Sequence, residues 1–311
     1  MVKEKFTIEQ LGQEVVKEIV ARIPQAEVKV IDVRKNNNLI LHGINIRDSQ
    51  ESNGIIPTIY LDNYYDEYCN DKLTAEEIAE RVIEIYNEEK GKVSLDIREL
   101  TEFDKAKKNL RIKLICTERN KEFLEKVPHK AFLDMSIVYQ VKALIEDDSV
   151  GTTVVTNELF KMYGVSVDEL HESALASMKE SEPVEIEGLS SKLMWLATKM
   201  DYDLEMDLGE LASQLEDEQM IMISNQKNIF GASQILYKEN LQKMASILKQ
   251  DFYILPSSVH ELLAVRAEEG GSVEELKAMV RETNRTQVLP DEILSDNVYY
   301  YSIATGELSI A

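Results

Sequence analysis

The spacing of the strongest β-type segments constrains this chain more than any other feature. LRIKLIC at 110–116, FLDMSIVYQV at 132–141 and GTTVVT at 151–156 follow one another closely. A parallel pair needs a crossover of a dozen or more residues, whereas antiparallel neighbours close through a short turn. The intervening chain is too short to give every neighbour a regular helical crossover, and no Gly-rich strand-to-helix turn accompanies the segments. The expected fold is therefore α+β: mainly antiparallel sheet with amphipathic helices packed on it, and no Rossmann or P-loop core.

The flanking sequence fits that architecture. Thr7 and Gln10 stand in capping-box spacing ahead of Leu11, Val15, Ile19 and Ile23, one stripe of a helix that ends before Pro24. AEVKVIDV and NLILHGINI alternate apolar and polar residues around Arg34-Lys35-Asn36-Asn37-Asn38, a polar turn suited to a hairpin. Thr74 and Glu77 open a further helix whose apolar face carries Ile78, Val82, Ile85 and Tyr86. Residues 1–90 thus read α-β-β-α-α. Residues 91–311 read as a larger α+β region, with 184–219 as an acidic insertion and one compact unit or two left open. Within it, helices are expected at 157–163, at 167–179 and over GASQILYKENLQKMASILKQ, and strands over EQMIMISN and DFYILP. GVSVDEL at 164–170 and GGSVEEL at 270–276 share a turn, a Ser cap and a Glu three residues later. Duplication of a β-α unit and independent use of the same helix-start chemistry both explain that likeness.

A chain of 311 residues with 44% hydrophobic content buries a large core, so a folded protein is expected and not a disordered one. Cys69 and Cys116 lie far apart without a zinc-ligand pattern and read as reduced, semi-buried thiols. The N-terminus lacks a signal peptide's apolar run, and no stretch approaches the roughly 20 residues that span a bilayer; a cytoplasmic protein is expected. Asp and Glu number 57 against 35 Lys and Arg, a formal charge of -22. That excess repels phosphate backbones and anionic lipids, so neither direct nucleic-acid binding nor membrane binding is expected.

The search for catalytic motifs is mostly negative. There is no phosphate-binding P-loop, no dinucleotide-binding Gly motif, no nucleophile elbow and no zinc-protease helix. His260-Glu261 begins like the last of these, but Ala264 stands where the second imidazole belongs. Asp201, Asp203, Glu205 and Asp207 alternate as in a calcium loop, yet Met206 and Ala212 occupy the required Gly and Glu positions. The series reads as one wet face of an edge strand or linker, and residues 201–219, which contain no Lys or Arg, as an acidic interaction surface. No metal and no cofactor is expected. Ser257, Ser258, His260 and Glu261 gather two hydroxyls, an imidazole and a carboxylate at a Pro-marked strand end, the ingredients of a nucleophile and its base. The plainer reading has a serine capping a helix while His260 bonds across the sheet. Tyr60, Asp62, Asn63 and Tyr64 set aromatic faces beside carboxylates and suit a peptide or cationic ligand. On a helix, Tyr60, Tyr64 and Tyr68 would instead form one packed stripe.

The phrases IPTIYLDNYYDEY, LICTERNKEFLEKVPHKAFLDMSIVY, FGASQILYKENL, DFYILPSSVHELL and LSDNVYYYS resemble an uncharacterised bacterial family, domain of unknown function 5688. The resemblance covers most of the chain and is poor over 184–219. It implies a bacterial intracellular setting and an association with mobile elements, and brings no known activity. Without catalytic signatures, the first expectation is a non-enzymatic protein-binding or adaptor protein whose acidic face meets an unidentified protein partner. One alternative is a hydrolase or transferase centred on Ser257, Ser258, His260 and Glu261. The other is an acidic nucleic-acid mimic acting on a basic partner. Oligomeric state is not legible.

Overall fold

The computed structural model describes residues 5–48, 57–90, 96–144, 150–188 and 220–311. Its contacts separate two compact units, one formed by residues 1–100 with 142–152 and the other by 101–141 with 153–311.

In the first unit, helix α1 (Ile8–Arg22) starts at the expected capping box: Thr7 accepts from the Gln10 N–H while the Gln10 side chain accepts from Thr7. Strands β1 (Ala26–Arg34) and β2 (Ile40–Asp48) form the expected antiparallel hairpin, with Asn37 and Asn38 at positive φ in its turn. Asparagine tolerates that conformation better than a branched residue does. A short strand, β3 (Thr58–Tyr60), adds a third member that alternation could not reveal over so few residues. Helices α2 (Asp62–Cys69) and α3 (Ala75–Glu89) follow. Leu11, Val15 and Ile19 of α1 and Ile78 and Val82 of α3 bury against Ile44 and Ile46 of β2. These residues are the stripes read from the sequence, with Ile85 only partly buried at the margin.

The short helices α4 (Ile97–Thr101) and α5 (Phe103–Ala106) lead to β4 (Leu110–Cys116). After α6 (Lys121–Leu124), β5 (His129–Phe132) and β6 (Met135–Leu144) pair antiparallel, and β6 also pairs with β4 and with β7 (Val150–Val154). The expected segment 132–141 is thus divided by a tight turn in which Leu133 has φ 56. Helices α7 (Asn157–Tyr163) and α8 (Val167–Ser181) fall where periodicity placed them, and α8 packs on β4.

Next come β8 (Val184–Gly188), β9 (Met220–Asn225), helix α9 (Lys238–Leu248), β10 (Phe252–Pro256), β11 (Leu262–Arg266), helix α10 (Val273–Thr286), β12 (Tyr299–Ser302) and β13 (Glu307–Ile310). The strands form one antiparallel sheet in the order β13-β12-β10-β11-β9-β8. The fold is α+β with antiparallel sheets, as the strand spacing required.

Two local readings are corrected. The helix expected from Gly231 is a 3-10 turn over Gly231–Leu236, and the α-helix begins only at Lys238. The Asn240 side chain donates to the Gln234 carbonyl and so takes an acceptor that a continuous helix would use. Nor do the two cysteines share an environment: Cys69 is exposed and Cys116 buried.

Candidate functional site

The β10–β11 hairpin connection, Ser257 to Glu261, lies at the end of the six-stranded sheet and is tied down at several points. The Val259 N–H donates to the Glu292 carbonyl at 2.8 Å, and Ser224 Oγ donates to the His260 carbonyl at 2.8 Å. Helix α10 packs Leu276 and Val280 against Leu255 and Val265. One turn further, Asn284 is buried and donates to the Ser295 carbonyl and to Asp296 Oδ1. The end of α10 is thereby held beside the segment that carries Glu292.

That segment has its own anchor. Asp134, in the β5–β6 turn, accepts from Ser295 Oγ (2.6 Å), Asn297 Nδ2 (3.0 Å) and the Tyr299 hydroxyl (2.7 Å). Burial, and after it the Asp134 carboxylate, push the Tyr299 hydroxyl far above its ordinary pKa, so it remains a donor. Arg119 pairs with Asp296 at 2.8 Å.

Between these supports lies a cleft of about 450 Å³, lined by Asn228, Ser257, Ser258, His260, Glu261, Thr283, Gln287, Val288 and Glu292. All four residues of the Ser257–Glu261 cluster line it. Their hydrogen bonds differ from those of a serine–histidine pair. Ser258 is buried; its Oγ donates to Glu261 Oε1 at 2.8 Å and accepts from the His260 backbone N–H at 2.9 Å. The serine caps a turn, and no helix follows it, because β11 begins at Leu262. The His260 Nδ1 accepts from the Phe230 N–H at 3.1 Å, which places the neutral ring's proton on Nε2, 3.3 Å from Glu292 Oε1. Both ring nitrogens are engaged, and neither meets a serine hydroxyl. Ser257 lines the cleft apart from these contacts.

Phe230 sets the imidazole's position from behind. Its ring stacks on that of His260 with centroids 5.4 Å apart, while Arg111 and Lys113 lie 5.0 and 4.5 Å from the Phe230 centroid. Phe230 and Asn228 both hold positive φ, 56 and 50, which is costly for non-glycine residues and persists only where surrounding contacts over-determine it. Those contacts are visible: Asn225 Oδ1 accepts from the Lys227 and Ile229 N–H groups, and Arg111 and Asn225 both donate to the Ile229 carbonyl. Arg111 in turn pairs with Glu182 at 3.2 Å, at 5% and 3% exposure. Burial lowers the Arg111 pKa and the Glu182 charge opposes that shift. A pair this dry is weak evidence for stability, but removal of one partner strands a charge.

Sequence reasoning missed Arg111, Glu182, Asn228, Thr283, Gln287 and Glu292. Arg111 carried a signal, a charge between Leu110 and Ile112 inside an apolar strand. The others gave none, because their proximity is tertiary. The aromatic cluster of the first unit is divided. Tyr60 ends β3 and sits under Lys35, 4.5 Å from its ring centroid, so it does not belong to the helical stripe of Tyr64 and Tyr68. Asp62 is tied to His42, accepting from its N–H at 2.6 Å and meeting Nδ1 at 3.3 Å; Asn63 is exposed. Asp201, Asp203, Glu205 and Asp207 lie outside the described residues, as does most of 184–219. Among the described residues no group of His, Cys, Asp and Glu side chains is arranged to hold a metal ion, and no helix is long and apolar enough to cross a membrane.

Fold and site define an antiparallel α+β protein with a polar, acid-lined cleft braced by a buried ion pair. The chain belongs to the Family of unknown function (DUF5688), whose model matches residues 6–303 of 311. No curated protein and no solved structure matches it.

Proposed function

We propose that this is a non-enzymatic protein-binding or adaptor protein of the bacterial cytoplasm that engages its partner through the cleft beside His260. One observation carries the reading: Ser258 Oγ is committed to Glu261, and the His260 ring to the Phe230 N–H and Glu292. The His260 imidazole therefore meets no serine hydroxyl, and the one hydroxyl that does meet a carboxylate, Ser258 Oγ on Glu261, is buried and caps a turn instead of facing a substrate. The charge of -22 supports a protein partner over nucleic acid.

The test pairs a serine-reactive fluorophosphonate with affinity capture from native-host lysate. Mass spectrometry is expected to find no adduct on Ser257 or Ser258, and a stoichiometric partner captured by the wild type is expected to be lost from Ser257→Trp, which fills the cleft. A stoichiometric adduct on either serine would replace this reading with a hydrolase or transferase.

A further inference from the structure

The cleft carries a strong bias toward one ligand chemistry. Among the described residues that line it, Glu261 and Glu292 are the acidic groups and no Lys or Arg joins them. Each carboxylate is positioned by a side-chain donor, Ser258 Oγ for Glu261 and His260 Nε2 for Glu292, and neither is paired with a Lys or Arg among the described residues. The polar residues Asn228, Thr283, Gln287 and Ser257 line the same cleft. Val288 supplies an apolar wall suited to a methylene stem.

We propose that this cleft is a receptor for an arginine side chain presented by a basic protein partner. The inference rests on the protein-binding reading above and specifies what that partner inserts. A guanidinium brings five N–H donors in a planar fork and keeps its charge, so it can satisfy two carboxylates together with amide and hydroxyl oxygens. An ammonium offers only three donors. Fixed carboxylates in a concave site are also less screened than charges on an open surface, which makes a cationic side chain a natural interface anchor. The rigidity argues in the same direction. The loop carrying Asn228 and the ring of His260 are held by Arg111, Asn225 and Phe230, so the acceptors are arranged before a ligand arrives.

The experiment titrates the full chain with N-acetyl-arginine amide and, separately, with N-acetyl-citrulline amide, which keeps the shape and removes the charge. Backbone amide chemical shifts report the contact. The expected result is a saturable response to the arginine probe at roughly millimolar concentration, centred on Asn228, Ser257, His260 and Gln287, and at least tenfold weaker for citrulline. In Glu261→Gln/Glu292→Gln the arginine response should fall at least tenfold. That double variant retains acceptors for Ser258 and His260, and an unchanged amide spectrum away from the cleft verifies its fold. Equal binding of the two probes, or undiminished arginine binding by the folded double variant, overturns the proposal. If the captured partner is still lost from Ser257→Trp in that case, the arginine assignment fails alone. A serine adduct would instead sink the protein-binding reading.

Discussion

At the scale of single residues, the cleft depends on positions that leave little room for change. Gly231 follows the strained Phe230, and a Cβ built there would meet Ser224 Oγ at 2.3 Å, the His260 carbonyl at 2.6 Å and the Asn225 nitrogen at 2.7 Å. Two of these neighbours are backbone, which cannot rotate away. Gly231→Ala should therefore destabilise the protein by about 1–3 kcal/mol, the usual cost of overpacking, and should perturb the His260 resonances. Urea denaturation with spectra of the folded state checks both effects. A neutral substitution would mean that β9 and the β10–β11 connection separate easily. The sequence placed Gly231 at the start of a helix; its close approach to β9 and to the His260 backbone was not legible, because the β10–β11 connection reaches it only through tertiary pairing.

At the scale of elements, helix α8 is held to β6 by a contact that should report pH. The fully buried Tyr139 of β6 has its hydroxyl 3.2 Å from His171 Nδ1. Burial lowers the His171 pKa below 6.5; Lys130 adds to the shift, while Asp168 and Glu172 oppose it. A histidine with a depressed folded pKa binds fewer protons folded than unfolded in the window below about 6.5. Stability contributed by the neutral ring is then present above that window and lost as pH falls through it. The wild type should lose more stability than His171→Gln between about pH 7.5 and about pH 5, read as the shift in urea midpoint. Equal losses would remove His171 from the account. The amphipathic stripe of α8 could be read in advance, since Leu170, Ala174 and Met178 recur at helical spacing and are buried. The partner of His171 could not.

At the scale of the whole molecule, a charge of -22 sets a large self-repulsion against the hydrophobic cores of the two units. Added salt screens that repulsion, since the Debye length falls from about 30 Å at 0.01 M to about 8 Å at 0.15 M. Surface ion pairs weaken over the same range but contribute little individually. The thermal midpoint should consequently rise as sodium chloride increases from low to physiological ionic strength. A scanning calorimetry series checks this, and a falling midpoint would show that local ion pairs outweigh the net charge.

Much of the architecture was determined by the sequence alone. Strand spacing imposed antiparallel pairing, capping boxes at Thr7, Thr74 and Ser272 placed helix starts, and apolar periodicity named the core stripes of α1, α3 and α8. These signals are local, so they act within one or two turns of chain. The Ser257–Glu261 cluster was also visible, because its members are neighbours in the chain. Only tertiary structure decided what those groups do. It brought Glu292 and Phe230 to the two sides of the His260 ring's hydrogen-bonding edge, joined Arg111 to Glu182, and turned Ser258 toward Glu261. Each of these outcomes depends on which donor reaches which acceptor within about 3 Å. That choice is made when the sheet closes and α10 docks, and no local pattern of residue types encodes it.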